Sequence, residues 1–391
     1  AINASNINTL TGTAADLNTA YTANANGSIS GLGNEAATLS DSTLAASVLN
    51  DLNGNTSGVI NASSINTLSG SYADLNTAFS ANGSGISGLG DEAVSISSSV
   101  STAQANTIAA FTSGVVTATL ADGDMATLAG LNESGNAYSI TISDSSVLAA
   151  ALNNLNGKTT VALNASNINT LTGAAADLNL AYTANANGSI NGLGNEAVTI
   201  SDTSLNASVL NSLNSNTSGV VNASSLNTLT GTFASISTAF SGNYNGSISG
   251  LGDTAVSVSG SINTFEANTI AGATTGRVTA TISDGQMSTL ASLGETDNAY
   301  SITITDNTVD ASALNALDNK TTVAIHAASI TTLTGTAAAA NTAYSSSGIN
   351  YLGNEAVTLS DTSLDAAVLN TLKSHTSGAI DAASVNTLTG T

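Results

Sequence analysis

Three residue types are absent from this 391-residue sequence: cysteine, proline and tryptophan. Without cysteine the chain cannot form a disulfide framework, so its stability must come from packing and hydrogen bonds. Without proline every peptide unit keeps its N–H donor, as long ladders of paired strands require. Aromatic residues are scarce at 3%, although hydrophobic residues as a whole reach 41%. This composition excludes both a large aromatic core and a disordered polar tract, and it suits thin layers of aliphatic side chains.

Positively charged residues are also scarce. Four basic residues stand against 26 acidic ones, which gives a formal net charge of −22. Nucleic acids and anionic membrane surfaces are bound by clustered lysines and arginines, so the sequence predicts neither as a partner. Its apolar runs are shorter than the roughly 18 residues of a membrane-spanning helix, so we expect no membrane insertion. The basic residues are Lys158, Arg277, Lys320 and Lys373.

Long-range repetition dominates what is present. Residues 2–12, INASNINTLTG, return as LNASNINTLTG at 163–173 and more loosely as IHAASITTLTG at 325–335. Self-similarity of this kind is typical of an array of small units rather than of one globular core. Because both ends fall inside a repeat, we expect this segment to belong to a longer protein. The super-repeats that follow are residues 1–162, 163–324 and, in part, 325–391.

Each super-repeat contains shorter modules of one kind. In the last full module, residues 357–359 alternate between apolar and polar, which predicts a short strand. Apolar residues then recur at every fourth position from Leu364 to Leu372, which predicts a helix with one apolar face. Asp361, between them, suits a helix N-cap, and Gly378 suits a glycine stop after the helix.

The module length predicts the fold class. A period in the low twenties with one strand and one helix is the size of a leucine-rich-repeat coil. We therefore predict a repeat solenoid, specifically a right-handed α/β solenoid of about 15 coils in which short parallel strands alternate with short helices. A parallel β-solenoid is the alternative, because Gly-rich inserts between some modules could add strands. The central strand residues are Leu39, Ile60, Ile96, Ala118, Ile142, Leu163, Ile200, Val221, Val258, Ala280, Ile304, Ile325, Leu359 and Ile380.

Acidic residues recur where the predicted strands end. As helix N-caps they would satisfy N–H groups of a first helical turn. As a column along stacked coils they would instead offer ligands to calcium, which takes roughly six to eight oxygen atoms. Asn61, Asn222 and Ser98 replace the acid in other modules, which favours capping because an ion site tolerates such exchanges poorly. The recurrent acids are Asp41, Asp144, Asp202, Asp306, Asp361 and Asp381.

Two further acidic motifs recur. Asp122-Gly123-Asp124 resembles the start of an ion loop, but its counterpart at 284–286 reads Asp-Gly-Gln. We therefore assign no metal site and leave calcium as the one possible cofactor. Glutamate follows Asn or Asp before several strands, and we interpret it as surface charge that aids solubility. These glutamates are Glu35, Glu92, Glu196 and Glu355, and Asp253-Thr254 is the copy that lacks one.

Aromatic residues and histidines complete the set of candidates. Tyrosine or phenylalanine falls at one matching place in the longer modules, where we predict packing between layers, with sugar stacking as the alternative. His326 and His375 stand where other copies have asparagine, so we interpret them as surface variants. The aromatic positions are Tyr21, Phe79, Tyr182, Phe240 and Tyr344.

The sequence favours no catalytic site. Serines abound, but none recurs beside a histidine and an acid, and no phosphate-binding or dinucleotide-binding motif is present. An enzyme also needs one unique pocket, which internal repetition does not provide. We therefore predict a non-enzymatic protein without catalytic, cofactor-binding or metal-ligating residues. A polysaccharide-cleaving solenoid with paired carboxylates is the enzymatic alternative.

Two stretches resemble a known group of proteins. YLGNEAVTLSDTSL at 351–364 and NASSINTLSG at 61–70 resemble the repeats of very large secreted surface proteins of marine cyanobacteria and related bacteria, including those tied to surface layers and swimming motility. The resemblance covers essentially the whole chain. It implies an extracellular, non-enzymatic filament or coat, secreted by a signal outside this segment. No residue role follows from it.

These observations predict a structural segment of a large secreted cell-surface or filament-forming protein: a stalk, surface layer, adhesin shaft or extracellular filament. The expected partners are neighbouring copies or continuing repeats of the same protein, head-to-tail or lateral, and cell-surface glycans. The alternative is an adhesin module that binds glycans or another surface along one face. Thr117-Ala118-Thr119 and Thr279-Ala280-Thr281 supply only fragments of the regular threonine array that an ice-binding face would need.

Overall fold

The structure is a computed structural model that describes residues 1–390. Over these residues short strands alternate with short helices along the whole chain. The strands are β1 Ile2–Asn3, β2 Thr9–Gly12, β3 Ile29–Ser30, β4 Ala36–Leu39, β5 Thr43–Ala45, β6 Ile60–Asn61, β7 Thr67–Gly70, β8 Ile86–Ser87, β9 Ala93–Ile96, β10 Val116–Thr119, β11 Ala137–Ser139, β12 Ser146–Leu148, β13 Leu163–Asn164, β14 Thr170–Gly173, β15 Ile190–Asn191, β16 Ala197–Ile200, β17 Ser204–Asn206, β18 Val221–Asn222, β19 Thr228–Gly231, β20 Ile248–Ser249, β21 Ala255–Ile262, β22 Val278–Ile282, β23 Ala299–Ser301, β24 Thr308–Asp310, β25 Ile325–His326, β26 Thr332–Gly335, β27 Ile349–Asn350, β28 Ala356–Leu359, β29 Ser363–Asp365, β30 Ile380–Asp381 and β31 Thr387–Thr389.

The helices are α1 Ala14–Ala25, α2 Ala46–Asn55, α3 Tyr72–Ser80, α4 Thr102–Ala109, α5 Met125–Leu128, α6 Ala149–Asn156, α7 Ala175–Ala186, α8 Ala207–Asn216, α9 Phe233–Asn245, α10 Thr264–Ala271, α11 Met287–Leu290, α12 Ala311–Asp318, α13 Ala337–Ser345 and α14 Ala366–His375.

The chain forms two compact units, the first at Ala1–Glu196 and the second from Ala197 onward. In the first unit one sheet has the strand order β5-β7-β9-β10-β11, and in the second the order β17-β19-β21-β22-β23 repeats it. All of these strand pairs are parallel. Each coil therefore adds one strand to a growing parallel sheet, and the predicted α/β solenoid is confirmed.

The inner face of these sheets is a ladder of aliphatic side chains. Leu44, Leu68 and Val94 lie directly opposite one another in β5, β7 and β9, and all three are buried. Because successive side chains of a strand point to opposite faces, their small polar neighbours face outward. Burial of a leucine or valine side chain stabilises a fold by about 1.5–3 kcal/mol, so this repeated layer contributes to the core together with the helices.

The helices cover the other side of that layer. α2 buries Ala46, Leu49 and Leu52, which recur every third residue and so share one helical face. α8 buries the three equivalent residues of the second unit. Most helices start at a polar N-cap, such as Thr13 before α1 and Ser71 before α3. Small caps and short amphipathic helices thus build thin coils that are stable only when stacked.

The coils with Gly-rich inserts are richer in strands than the predicted module. Between α1 and α2 the chain forms three short strands, β3, β4 and β5, each paired with a neighbouring coil. The inserts therefore do add strands, as the β-solenoid alternative proposed. The 14 helices of residues 1–390 nevertheless show that the coils are helix-containing.

Two details of the predicted module are wrong. Leu364 lies in strand β29, and the helix begins only at Ala366, because residues 363–365 pair with 387–389 of the next coil. Gly378 is not a left-handed helix stop. Instead a Cβ at this position would lie 2.1 Å from the carbonyl oxygen of Glu355, so close approach of two coils requires the glycine.

Candidate functional site

Aspartates at the strand ends cap helices. The Oδ2 atom of Asp41 accepts the N–H of Ala14, the first residue of α1, at 2.8 Å. Asp361 accepts the N–H of Ala337, the first residue of α13, at the same distance. A carboxylate here satisfies an otherwise unpaired donor and is favoured by the helix dipole. The aspartate row, defined by this contact, is Asp41, Asp122, Asp144, Asp284, Asp306 and Asp361.

The predicted capping role holds, but the predicted helix is wrong. Asp361 precedes α14 in sequence, yet its carboxylate caps α13 of the preceding coil. The side chain that caps α14 is Asp365, which accepts the N–H of Ala367 at 2.7 Å. Strand β29 separates Asp361 from α14, which is why the aspartate reaches backward. Each carboxylate of the aspartate row therefore ties together two successive coils.

The sequence analysis placed three further residues in the same group as these aspartates, but in the structure they occupy a different place in the coil. Asn61, Asn222 and Asp381 each accept the N–H of the residue two positions later, at 3.1, 3.0 and 3.0 Å. These are Asx turns, which tolerate either asparagine or aspartate. Asp202 lies between β16 and β17, where its sequence position matches that of the aspartate row.

The motif that resembled an ion loop also consists of helix caps. Asp122 accepts the N–H of Thr102, at 2.6 Å, and Asp124 accepts the N–H of Thr127, at 2.9 Å. The hydrogen bond from Thr127 N–H lowers the pKa of Asp124. In the second unit, the N–H of Thr264 likewise lowers the pKa of Asp284. Within residues 1–390 no three His, Asp or Glu side chains are grouped closely enough to hold a metal ion.

The recurrent glutamates are buried, so their prediction as surface charge is wrong. Glu35 is 0% exposed, and its Oε2 accepts the Tyr21 hydroxyl at 3.1 Å and the N–H of Gly33 at 2.8 Å. Glu355 accepts the Tyr344 hydroxyl and a glycine N–H in the same way, at 3.0 and 2.8 Å. The Tyr–Glu clusters are Tyr21–Glu35, Tyr182–Glu196 and Tyr344–Glu355.

Burial changes the acidity of these groups. Desolvation by burial is the main cause that raises the pKa of Tyr21, and the neighbouring Glu35 adds to it. A buried carboxylate is costly unless hydrogen bonds compensate it, and the tyrosine hydroxyl supplies one of them. The sequence signal for this was present: tyrosine at one helix position occurs together with glutamate 14 residues later in two of the three clusters.

A threonine and a glycine of the next coil close the clusters of Glu35 and Glu355. The Thr56 hydroxyl donates to the Glu35 carbonyl at 2.8 Å and accepts the N–H of Gly58 at 3.0 Å. A Cβ at Gly58 would lie 2.2 Å from that same carbonyl oxygen. Thr376 and Gly378 repeat both contacts with Glu355. The Thr-x-Gly motif therefore serves close packing of one coil against the next.

Two coils depart from the Tyr–Glu pattern. In one, phenylalanine replaces tyrosine at Phe79 while Glu92 stays buried, and burial raises the pKa of Glu92. In the other, Phe240 is accompanied by buried Thr254, whose hydroxyl donates to a backbone carbonyl at 3.3 Å. Phe79 stacks on Phe111 with ring centroids 5.4 Å apart. The predicted layer packing of the aromatic residues is thus observed, combined with hydrogen bonding where tyrosine is present.

A row of asparagines, which the sequence analysis missed, joins helices to the next helix or to the turn just after it. The Asn50 side-chain amide of α2 donates to the Asp74 carbonyl of α3, at 2.9 Å. The same bond links α6 to α7, α8 to α9 and α12 to α13. The signal was an asparagine at the fifth residue of most helices. The asparagine ladder is Asn18, Asn50, Asn106, Asn153, Asn211, Asn268, Asn315 and Asn341.

The histidines and threonines lie on the surface of the coils. The His326 ring packs at a tilt against Tyr351 with centroids 4.4 Å apart, and His375 stacks on Tyr344 at 5.7 Å. Thr117 and Thr119 point outward from β10. Thr117 has Ser95 on one side and Ala137 on the other, so hydroxyl groups do not form an unbroken array there.

Neither the protein-family models, nor the curated proteins, nor the solved structures give a match to this chain. In residues 1–390 the helices are too short or too polar to cross a membrane.

Proposed function

We propose that this chain is a structural, non-enzymatic segment of a large secreted protein of the cell surface or of an extracellular filament, such as a stalk, surface layer or adhesin shaft. The observation that carries the proposal is the use of its polar side chains. The aspartate row, the threonines that close the Tyr–Glu clusters and the asparagine ladder all hold one coil to the next. When carboxylates, hydroxyls and amides are used to bind coils together, the chain is suited to forming an extended structural segment.

The negative net charge supports an extracellular location. A net charge of −22 keeps such an array soluble, and salt outside the cell screens the repulsion along it. Calcium is not part of the proposal, because the carboxylates of the aspartate row already accept helix N–H groups. Paired carboxylates for polysaccharide cleavage are set aside for the same reason.

The proposed partners are further coils of the same kind. Within the array each coil covers the next: Leu163 and Ile325, which are equivalent residues of two super-repeats, are both 0% exposed. A coil of the same design, from a continuing repeat or a second copy, would offer a neighbour the same aliphatic surface and the same strand-pairing groups.

Immunogold labelling tests the proposed function. Antibodies against this segment would be applied to intact and to permeabilised cells that express the gene. We expect gold on the outer surface or on attached filaments of intact cells, and its loss after brief external protease treatment. An antibody to a cytoplasmic protein, which should label only permeabilised cells, is the matched control. Labelling restricted to the interior of permeabilised cells would refute an extracellular structural role.

A further inference from the structure

One coil contact in the second unit carries a tyrosine where the array uses glycine. Tyr351 has φ +71°, in the left-handed region that side chains with a Cβ rarely adopt. At the equivalent position the other copies place glycine with nearly the same backbone angle. These glycines are Gly31, Gly88, Gly192 and Gly250, with φ of 91°, 85°, 98° and 90°. The tyrosine therefore occupies a strained position that packing alone fills with glycine.

The space at this position is also tight. A Cβ on Gly31 would approach the backbone nitrogen of Ser5 to 2.7 Å, and one on Gly250 would approach that of Ser224 to 2.5 Å. Any side chain here must therefore displace the neighbouring coil. Tyr351 occupies this position despite both the unfavourable backbone angle and the limited space.

Two neighbours of Tyr351 have changed together with it. His326 replaces the asparagine that forms an Asx turn in other coils, and Ala328 replaces the serine whose N–H that asparagine accepts, as in Asn3 and Ser5. The rings of His326 and Tyr351 are then in tilted contact, with centroids 4.4 Å apart and planes at 44°. Three coordinated exchanges at one coil contact build a new aromatic feature.

This feature is open to solvent and bordered by polar groups. Tyr351 is 65% exposed, and His326 is exposed beside it. In the parallel sheet, His326 lies opposite Asn350 on one side and Thr303 on the other. An amide, a hydroxyl and an imidazole thus lie in a row next to an accessible aromatic ring.

We propose that Tyr351, His326, Asn350 and Thr303 form a subsite for one uncharged hexose ring of a glycan. The C–H groups on one face of a pyranose pack against an aromatic ring, while its hydroxyls need neutral donors and acceptors at the edge. The strongly acidic chain repels anionic ligands, which favours a neutral sugar. The subsite goes beyond the structural role proposed above, since the array needs no tyrosine at this position.

Titration calorimetry against neutral hexasaccharides of glucose, mannose and galactose tests the subsite. Tyr351→Gly restores the residue of the other copies, so we expect it to melt at or above the temperature of the parent chain. We expect the parent to bind at least one of these sugars and Tyr351→Gly to bind it at least about tenfold more weakly. His326→Asn, a second return to the repeat pattern, should also weaken binding.

Tyr244→Ala is the matched control, because Tyr244 is 95% exposed in the same unit and lies outside the subsite. Its affinity should stay within about twofold of the parent. The proposal is overturned if the parent binds none of the hexasaccharides, if Tyr351→Gly binds as tightly as the parent, or if Tyr244→Ala loses affinity to the same extent. Each of these outcomes leaves the coil array and its proposed structural role unaffected.

Discussion

The coil of Glu92 lacks one hydroxyl group that the Tyr–Glu clusters have. In the Tyr–Glu clusters the hydroxyl donates to the carboxylate, whereas Phe79 leaves Glu92 with backbone donors such as the N–H of Gly90. The raised pKa of Glu92 means that folding favours its protonated form. Its contribution to stability is therefore full below the usual pKa of 4.5 and is lost as the pH rises through the raised value.

Phe79→Tyr should restore the missing hydrogen bond to Glu92 and stabilise this coil. The new hydroxyl would donate to the charged Glu92, and we expect the free energy of unfolding at pH 7 to rise by about 1–2 kcal/mol. Urea denaturation measures it. Phe240→Tyr is the matched control, because Thr254 stands there in place of the glutamate, and it should bring no gain. Equal effects of the two substitutions would contradict the role assigned to the hydroxyl.

Glycine at the close approach of two coils gives a second prediction at this scale. Gly58→Ala should lower the free energy of unfolding by about 1–3 kcal/mol, because its Cβ would lie 2.2 Å from the Glu35 carbonyl oxygen. Gly54→Ala, in α2 of the same coil, meets nothing within 4 Å and should stabilise the helix by up to about 1 kcal/mol. Thermal melts of both variants would show shifts of opposite sign. A tolerated alanine at position 58 would speak against the tight contact.

Among the elements, the helices are held in line by side chains as well as by apolar packing. Asn153→Ala removes the 2.9 Å hydrogen bond from α6 to the Asp177 carbonyl of α7. We expect a loss of about 0.5–1.5 kcal/mol in the free energy of unfolding. Asn154→Ala changes the exposed neighbour on the same helix and should have little effect. If the two variants are equally stable, the asparagine ladder does not join the helices.

The aspartate caps predict a dependence on acid pH. The pKa of Asp284 is lowered chiefly by the N–H of Thr264. Its stabilisation is therefore present above its usual value of 3.8 and is lost as the pH falls through the lowered value. Asp284→Asn should flatten the fall of melting temperature below about pH 4. Asp253→Asn, which removes one acidic charge elsewhere in the unit, is the control and should leave the slope unchanged.

At the scale of elements the sequence predicted well what recurs locally. Alternation at 357–359 marked strand β28, and the spacing of apolar residues marked the helices. It misplaced Leu364, because pairing with the next coil extends the strand beyond what local spacing indicates. It also assigned Asp361 to the wrong helix, since only the stacking shows that the carboxylate reaches the preceding coil.

The buried glutamates show where prediction from sequence ended. Glu35 lies among glycine and asparagine, a local setting typical of the surface. Its burial depends on Tyr21 from one helix and Thr56 from the next coil, which meet only in the folded chain. The strain at Tyr351 could not be predicted from the sequence either. It becomes evident only from the positive φ angle that Tyr351 shares with the glycines at equivalent positions.

At the scale of the whole molecule, the coils of each unit add one at a time through parallel strands. Within the first unit, Ala45, Ser69, Ser95, Thr117 and Ala137 lie opposite one another in five successive strands. Neighbouring strands are about 4.8 Å apart. Stability in such an array arises from contacts between nearest neighbours, so each coil contact described above contributes to the stability of both coils that share it.

Distances between paired spin labels test this claim most directly, and the absence of native cysteine makes labelling clean. Cysteine pairs would join position 45 with positions 95, 117 and 137 in turn. We expect backbone separations that increase by about 4.8 Å per coil, reaching about 19 Å between positions 45 and 137. Separations that do not grow in equal steps along this series would contradict the stacked solenoid.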